Sequence, residues 1–463
     1  MSGRTAVVGG GLAGLTAALD LADQGHDVVL FEAQRRLGGL TGSFRREGPA
    51  GPLDVDTGQH VFLRCCTAYR ALLARLGESG QVTLQDRLTI PVTRPDPTGT
   101  EPATAVLRRG TLPAPLHLTG ALSRYRLLDR ADRWRVARAA LALRRVDPDD
   151  PAADRRTFGD WLADHRQNDR TIGALWDLVG TAALNAPAEA ASLALAAMVF
   201  RTGLLDDAAA ADIGWSRIPL QVLHGTAGSR CLAAAGAEVR LGCRVESLTR
   251  RGSGWLLGTR DGAAEYADQV VLAVPPAAAE QLLPTGAVTQ GPGWAARLGT
   301  VPIVNVHVVY DRPVLETPFL AAVGSPLQWI FDRSRPAGLT GGGQYLAVSL
   351  SAAFDAVRRP TAELLQGMLP ALAAVLPAAR GATVLDSFVT RERSATFAPA
   401  PGQAALRPHT VTAEAGLVLA GAWTATGWPA TMEGAVRSGA AAAAALGQAP
   451  PSRSTTPAGS VAA

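Results

Sequence analysis

No lysine occurs among the 463 residues; all 44 basic residues are arginine, so any site built on a lysine amine is excluded. Cysteine is nearly absent. Of the four present, Cys65 and Cys66 are adjacent and Cys231 and Cys243 stand alone, and no Cys-x-x-Cys pair exists. That pattern excludes a cysteine metal site or disulfide framework and suits buried thiols in a reducing compartment. No apolar run is long enough to cross a bilayer: the longest, 190–200 and 439–446, fall short of the roughly 18 residues required. Net charge is small, +4, and no dense basic stripe with interleaved aromatics marks a nucleic-acid surface. No signal peptide precedes the first strand and no internal repeat is visible. These absences describe a cytoplasmic globular protein, with attachment to the inner face of the cell membrane left open.

What is present begins at once. Residues 5–8 are a short apolar strand, followed by Gly9-Gly-Gly11-Leu12-Ala13-Gly14, a helix, a second strand 28–31 and Glu32. Gly9 permits a tight turn, Gly11 lets backbone amides approach a pyrophosphate at a helix N-terminus, and Gly14 lets that helix pack on the sheet. Glu32 stands where an acid can accept a hydrogen bond from a ribose hydroxyl. Arg35, Arg36, Gly38 and Gly39 follow directly, a guanidinium and a bare backbone stretch suited to phosphate. The chain therefore holds a dinucleotide.

Strand-like and helical segments alternate beyond this unit. Residues 121–146, 157–162, 171–184 and 188–204 read as helices; 242–248, 252–259, 267–274, 301–310, 327–332, 344–351 and 384–391 read as strands. A helix at 363–376, a strand at 416–421 and a helix from Met432 complete the pattern. The expected fold is α/β: a discontinuous Rossmann-like domain (1–90, 215–290 and 400–446) with an α+β substrate domain inserted in two pieces (91–214 and 291–399). The Pro, Ser and Thr-rich tail, 447–463, is expected to be disordered.

Glu32-Ala-x-x-Arg36-x-Gly38-Gly39 resembles the FAD-dependent amine oxidases, phytoene desaturases and protoporphyrinogen oxidases. That superfamily usually continues with a basic residue where Leu40 and Thr41 stand here. The stretch Gly421-Ala422-Trp423-Thr-Ala-Thr-Gly-Trp428-Pro429-Ala-Thr431-Met432-Glu433-Gly-Ala-Val-Arg437-Ser438-Gly439 is narrower. It is similar to the hydroxysqualene dehydroxylases, or squalene-associated FAD-dependent desaturases, of bacterial hopanoid synthesis. The segments Asp56 to His60, Ala182 to Asn185, Gln328 to Arg333 and Arg393 to Phe397 also fit. The resemblance implies FAD and a polyisoprenoid substrate. It carries the cofactor contacts onto Gly9, Gly11, Leu12, Ala13, Gly14, Glu32, Arg36, Gly38, Gly39, Gly58, Val245, Gly421, Thr431, Met432 and Glu433. Ala422 replaces the superfamily's usual acid, and no Cys or His lies within 420–439 to bind flavin covalently. No metal is implied.

Reductive loss of an allylic hydroxyl needs a positioned acid, a dry cavity and electron-rich faces beside a developing cation. Glu433 and His60 are candidates for the acid, Trp423 and Trp428 for the faces. A helix-start carboxylate, a packed histidine, a helix cap at Thr431 and simple turn packing are the plainer readings. A carotenoid desaturase or isomerase is the alternative function. An amine oxidase fits less well, because those enzymes commonly use a lysine-held water, and a non-enzymatic flavin module is the remaining class. With one Gly-x-Gly-x-x-Gly unit only, electrons are expected from an external reductase or carrier. Residues 121–146 carry eight arginines against Asp129 and Asp132, a net charge of +6. Leu127, Ala131, Trp134 and Leu141 share one helical face, interrupted by Arg138, that either packs in the core or lies on an anionic membrane with Arg130, Arg133 and Arg135 as contacts.

Overall fold

Five apolar runs form one all-parallel sheet, in the order Glu238–Leu241, Asp27–Glu32, Arg4–Val8, Gln269–Leu272, Leu417–Leu419. The computed structural model describes residues 3–96 and 101–447. Both faces of the sheet are covered, which is why its central strands read as unbroken Val, Leu and Ala rather than alternating. The helix Leu12–Asp23 packs on one face with the closing helix Met432–Gly447. There a Cβ on Gly439 would come within 2.2 Å of the Ala13 carbonyl oxygen, so glycine sets the closeness of the two helices. An antiparallel trio, Val245–Arg251, Gly254–Thr259 and Ala264–Ala267, covers the other face over the fully buried Trp255.

A second, seven-stranded sheet runs Val384–Phe397, Thr300–Tyr310, Gln344–Leu350, Trp329–Asp332, Phe319–Ala322, Thr89–Arg94, Ala103–Arg108. Its pairs are antiparallel except that between Phe319–Ala322 and Thr89–Arg94. Strands separated by some two hundred residues thus lie side by side. One part of the sheet buries the helix Thr361–Val375; another packs against a helical layer including Phe158–Asp164, Asp177–Leu184 and Leu193–Phe200. The 447–463 tail lies, beyond Gly447, outside the described residues.

Several expected elements change. The helix expected over 121–146 is two, Thr119–Arg124 and Arg130–Leu143. Asp129 ends the continuity: its carboxylate accepts the Asp132 amide at 2.8 Å as an N-cap, and Tyr125 is pinned by donating to the Ala174 carbonyl. The helix expected from 188 starts at Leu193, because the Ser192 amide bonds the Pro399 carbonyl instead, and it ends in a π-turn, Arg201–Leu205. A further π-turn, Ile172–Trp176, precedes Asp177–Leu184. The strand expected from 242 starts at Val245, because Gly242 has a left-handed φ of 70° and the Cys243 amide donates to the Glu32 carbonyl. The strand ending at 391 runs on to Phe397. The four cysteines are partly exposed rather than buried, and all are free.

One buried ion pair joins the two bodies. Arg333, just past the Trp329–Asp332 strand, donates to Asp56 at 2.5 Å, and both residues are under a tenth exposed. The other Asp56 oxygen accepts Ser43 Oγ at 2.6 Å and the Leu220 amide at 3.0 Å, while Arg333 also donates to the Ser216 carbonyl. Removing one partner strands the other charge. Arg333→Met is expected to cost about 3–5 kcal/mol in chemical denaturation, and adding Asp56→Asn should restore part of that loss.

Candidate functional site

At the mouth of the first strand the backbone is too crowded for side chains. Gly9 has a φ of 109° and a Cβ there would meet the Ala273 carbonyl oxygen at 2.4 Å; one on Gly14 would sit 1.9 Å from the Gly9 oxygen. Gly11 and Gly39 face each other across a slot, a Cβ on Gly39 lying 3.0 Å from Gly11 Cα. Gly38 turns this segment inward, its amide donating to the Gly10 carbonyl at 2.8 Å. The helix that begins at Leu12 and Ala13 has no side-chain cap and no acid in its first turn, so its leading amides remain available to an anion.

Glu32 is locked beside that turn. One carboxylate oxygen accepts the Gly10 amide and the other the Gln34 amide, both at 2.7 Å, which leaves lone pairs on each for a ribose hydroxyl. Val245 is buried close by, two residues after the Cys243 amide that bonds the Glu32 carbonyl. Arg36 lies along Gly42 and donates to the Gly39 carbonyl at 3.1 Å, so it braces the glycine pair and keeps further N–H groups for phosphate.

A cavity of about 330 Å³ opens from this region into the second body. Gly58, His60, Trp428, Thr431, Met432 and Glu433 form one end of its wall; Ile90, Val179, Met198, Val199, Phe319 and Phe331 form much of the rest. His60 Nδ1 lies 3.0 Å from the Gly58 carbonyl, which fixes that nitrogen as the donor. Burial lowers the His60 pKa, so the ring is neutral at pH 7 and its other nitrogen is an acceptor, a base rather than the expected acid.

Two other expectations change. Glu433 is held by the Ala68 and Tyr69 amides at 3.1 and 2.7 Å and by Arg437 at 2.7 Å. Its carboxylate caps the helix Thr67–Arg75 and is taken up by these three donors; its placement is structural, although it borders the cavity. Trp423 does not face the cavity at all. Its indole donates to the Val274 carbonyl and its ring packs at 5.3 Å on Trp294 in the core of the parallel-sheet body. Trp428 does line the cavity, with the Arg437 guanidinium 4.9 Å over its ring. Thr431 accepts the Gly434 amide at 3.1 Å, a helix cap at the cavity edge.

Residues that single-sequence reading passed over hold this site in shape. Arg407, 5% exposed, donates to the Ala422, Thr424 and Trp428 carbonyls at 3.1, 2.5 and 2.8 Å and stacks on Phe397 at 4.6 Å. Ala422 thus takes part through its carbonyl. Ser438 Oγ accepts the amide of Gly421, a glycine required by its φ of 147°. His224 bridges the Thr41 carbonyl at 3.1 Å and the Tyr69 hydroxyl at 2.8 Å. Glu392 reaches the cavity wall from the long strand Val384–Phe397, with one oxygen on the Ser394 amide. Asn185, in the left-handed conformation, donates to Thr396 at 3.0 Å and accepts the Ala352 amide. The segments around 58, 185, 329 and 396, far apart in sequence, meet on this one cavity. Their local composition carries no signal of that meeting.

A bare backbone slot at a helix start, a locked acid and an apolar cavity against a second body define a dinucleotide-dependent oxidoreductase whose residues fit FAD. The family model described as flavin containing amine oxidoreductase matches residues 12–447, and the chain belongs to that family. Hydroxysqualene dehydroxylase of Rhodopseudomonas palustris is 31% identical, the match covering 96% of this chain and 98% of that protein. Zeta-carotene desaturase of Zea mays is 26% identical over 94% of this chain and 82% of its own length. Among solved structures, a putrescine oxidase double mutant superposes with a TM-score of 0.70 at 17% identity, covering 96% and 99% of the two chains, a likeness of fold.

Arg407→Met should leave three carbonyls of the 421–428 loop without their donor, a loss of a few kcal/mol. Weaker FAD retention, at least about tenfold in Kd by flavin fluorescence, is the expected result. Acid should act through His224, whose pKa burial lowers to about 4. Between pH 6.5 and 4 the unfolded chain binds the proton and the folded chain does not, so stability falls as pH falls, by about 2 kcal/mol at pH 5 from this residue. His307, lowered by burial to about 3, adds a loss of the same sign. Denaturation at pH 7 and pH 5 should give a smaller difference in His224→Gln than in the parent protein.

Proposed function

We propose that this FAD-dependent oxidoreductase reductively dehydroxylates a hydroxylated polyisoprenoid of the hydroxysqualene type. The observation that carries the reading is the cavity itself: apolar over most of its wall, with very few titratable groups, and bordered by the segments that would face the flavin. The curated hydroxysqualene dehydroxylase match over nearly the full chain supports it. Chemically, the allylic C–O bond breaks, a C–H bond forms, and the oxygen leaves as water with an added proton; FAD, when bound and reduced, supplies the hydride.

The chain's own residues have defined work in this scheme. Phe319, Trp329 and Phe331 hold the hydrocarbon and keep water out, which prevents a cationic centre from being captured as alcohol. Trp428 presents an electron-rich ring at the flavin end of the wall. Because Glu433 is held by its three donors and His60 is neutral, the acid falls to Glu392, whose second carboxyl oxygen has no bonding partner among the described residues. A single dinucleotide fingerprint leaves reduction of the flavin to an external reductase or carrier. The desaturase relative favours one second reading, oxidation of a carotenoid in the same cavity.

Holoprotein reduced chemically under anaerobic conditions and mixed with hydroxysqualene should yield squalene in a single turnover, read by mass spectrometry. Oxidised holoprotein mixed with phytoene or zeta-carotene should leave either carotenoid unchanged. Desaturated carotenoid without squalene would replace the proposal by the second reading. NADPH alone should bleach the flavin slowly. Glu392→Gln should lower the turnover rate on the order of 100-fold without loss of FAD.

A further inference from the structure

The basic helix Arg130–Leu143 is turned the opposite way from a core-packing amphipath. Its inward residues are Asp132, Val136, Ala139 and Leu143, all buried. Its large apolar side chains point out: Trp134 is 73% exposed and Leu141 52%. At 100° per residue, Arg130, Trp134, Arg138, Leu141 and Arg145 fall on one outward stripe, cation and apolar group in alternation.

Charge on this stripe has one sign. Asp132 is fully buried and engaged by Arg135, Arg170 and Asn168, and Asp129 is used by the helix start and Arg170. Arg133 donates to the Ser123 and Tyr125 carbonyls. By contrast Arg130, Arg138 and Arg145, with Arg124 and Arg126 just before the helix, are exposed and have no hydrogen-bond or ion-pair partner among the described residues. Arg144, beside the stripe, pairs with Asp206 at 3.4 Å.

The stripe also adjoins the cavity. Leu141, Arg144 and Arg145 border a surface depression with Arg201 and Asp206. Arg201 opens the π-turn Arg201–Leu205, whose next residues, Thr202, Gly203 and Leu204, line the cavity. Arg201 further donates to the Val146 carbonyl at the end of the basic helix, at 2.9 Å. One short segment therefore has the outward stripe on one side and the cavity on the other.

We infer that this stripe is a docking surface for an anionic lipid bilayer: Trp134 and Leu141 enter the headgroup boundary while Arg130, Arg138 and Arg145 bind lipid phosphates. Exposed tryptophan beside unpaired arginine matches an interface that is apolar below and negatively charged above. Docking there sets the Arg201–Leu205 wall of the cavity against the membrane. An acidic protein surface would satisfy the arginines but gives no reason for a tryptophan and a leucine interleaved with them.

Holoprotein is mixed with vesicles containing phosphatidylglycerol, and separately with phosphatidylcholine alone, at low salt and at 0.5 M salt. The expected result is sedimentation with the anionic vesicles only, reversed by salt, with a blue shift of tryptophan emission that Trp134→Ser abolishes. Arg130→Glu with Arg138→Glu and Arg145→Glu, all exposed positions, should weaken binding at least about tenfold while FAD content stays unchanged. Trp134→Ser with Leu141→Ser should weaken it without altering the salt dependence. Equal binding to neutral vesicles, no binding, or binding kept by both variants would overturn the inference, as would capture by an acidic protein without vesicle binding. The vesicles contain no substrate, so failure here leaves the proposed reaction standing.

Discussion

The Asp56–Arg333 pair is the constraint on which the two-body arrangement rests. A carboxylate and a guanidinium held away from water are tolerable only together, and each is further satisfied by groups from other segments. Asp56 ends the strand Leu53–Asp56, whose Leu53 and Val55 pack on Val309 and Tyr345, Arg333 follows the Trp329–Asp332 strand, and Ser216 and Leu220 complete the cluster. Any hinge motion that parted the bodies at this point would expose a lone buried charge on each. Gly58 and His60, just past Asp56 in the chain, line the cavity.

The proposed reaction needs a reactive cation to meet hydride before water, and an apolar cavity suits that need. The wall is hydrocarbon over most of its extent, and its polar groups are largely committed: Glu433 to two amides and Arg437, Asn185 to Thr396 and Ala352. Only a few groups remain free to exchange a proton. The fold is shared with a putrescine oxidase, whose chain this one matches over nearly its full length at 17% identity.

Local pattern and tertiary context divided the information unequally. Gly9, Gly11, Gly14 and Glu32 were legible because their roles are set within some thirty residues, by turn geometry and helix-start amides. Trp423 and Trp428 were not distinguishable, since five residues apart in one loop they face opposite ways, one into a core against Trp294 and one into the cavity. The helix after Asp129 illustrates the same limit. A stripe of Trp134 and Leu141 at helical spacing fits a core face as well as a membrane face, yet shorter residues, Val136 and Ala139, pack inward on the face where Asp132 is anchored by Arg170 and Asn168.

By itself the sequence determined the dinucleotide turn, the α/β order of elements, the lack of any lysine-based site and the flavin-type closing segment. Each depends on residues close in the chain or on plain absence. Only the tertiary structure decided that Arg407 clasps the 421–428 loop, that Glu433 is a bound cap, that Glu392 reaches the cavity wall, and that the arginine–tryptophan stripe faces outward. Those outcomes depend on which distant backbone carbonyls and amides come within hydrogen-bond reach, and no local periodicity encodes that distance.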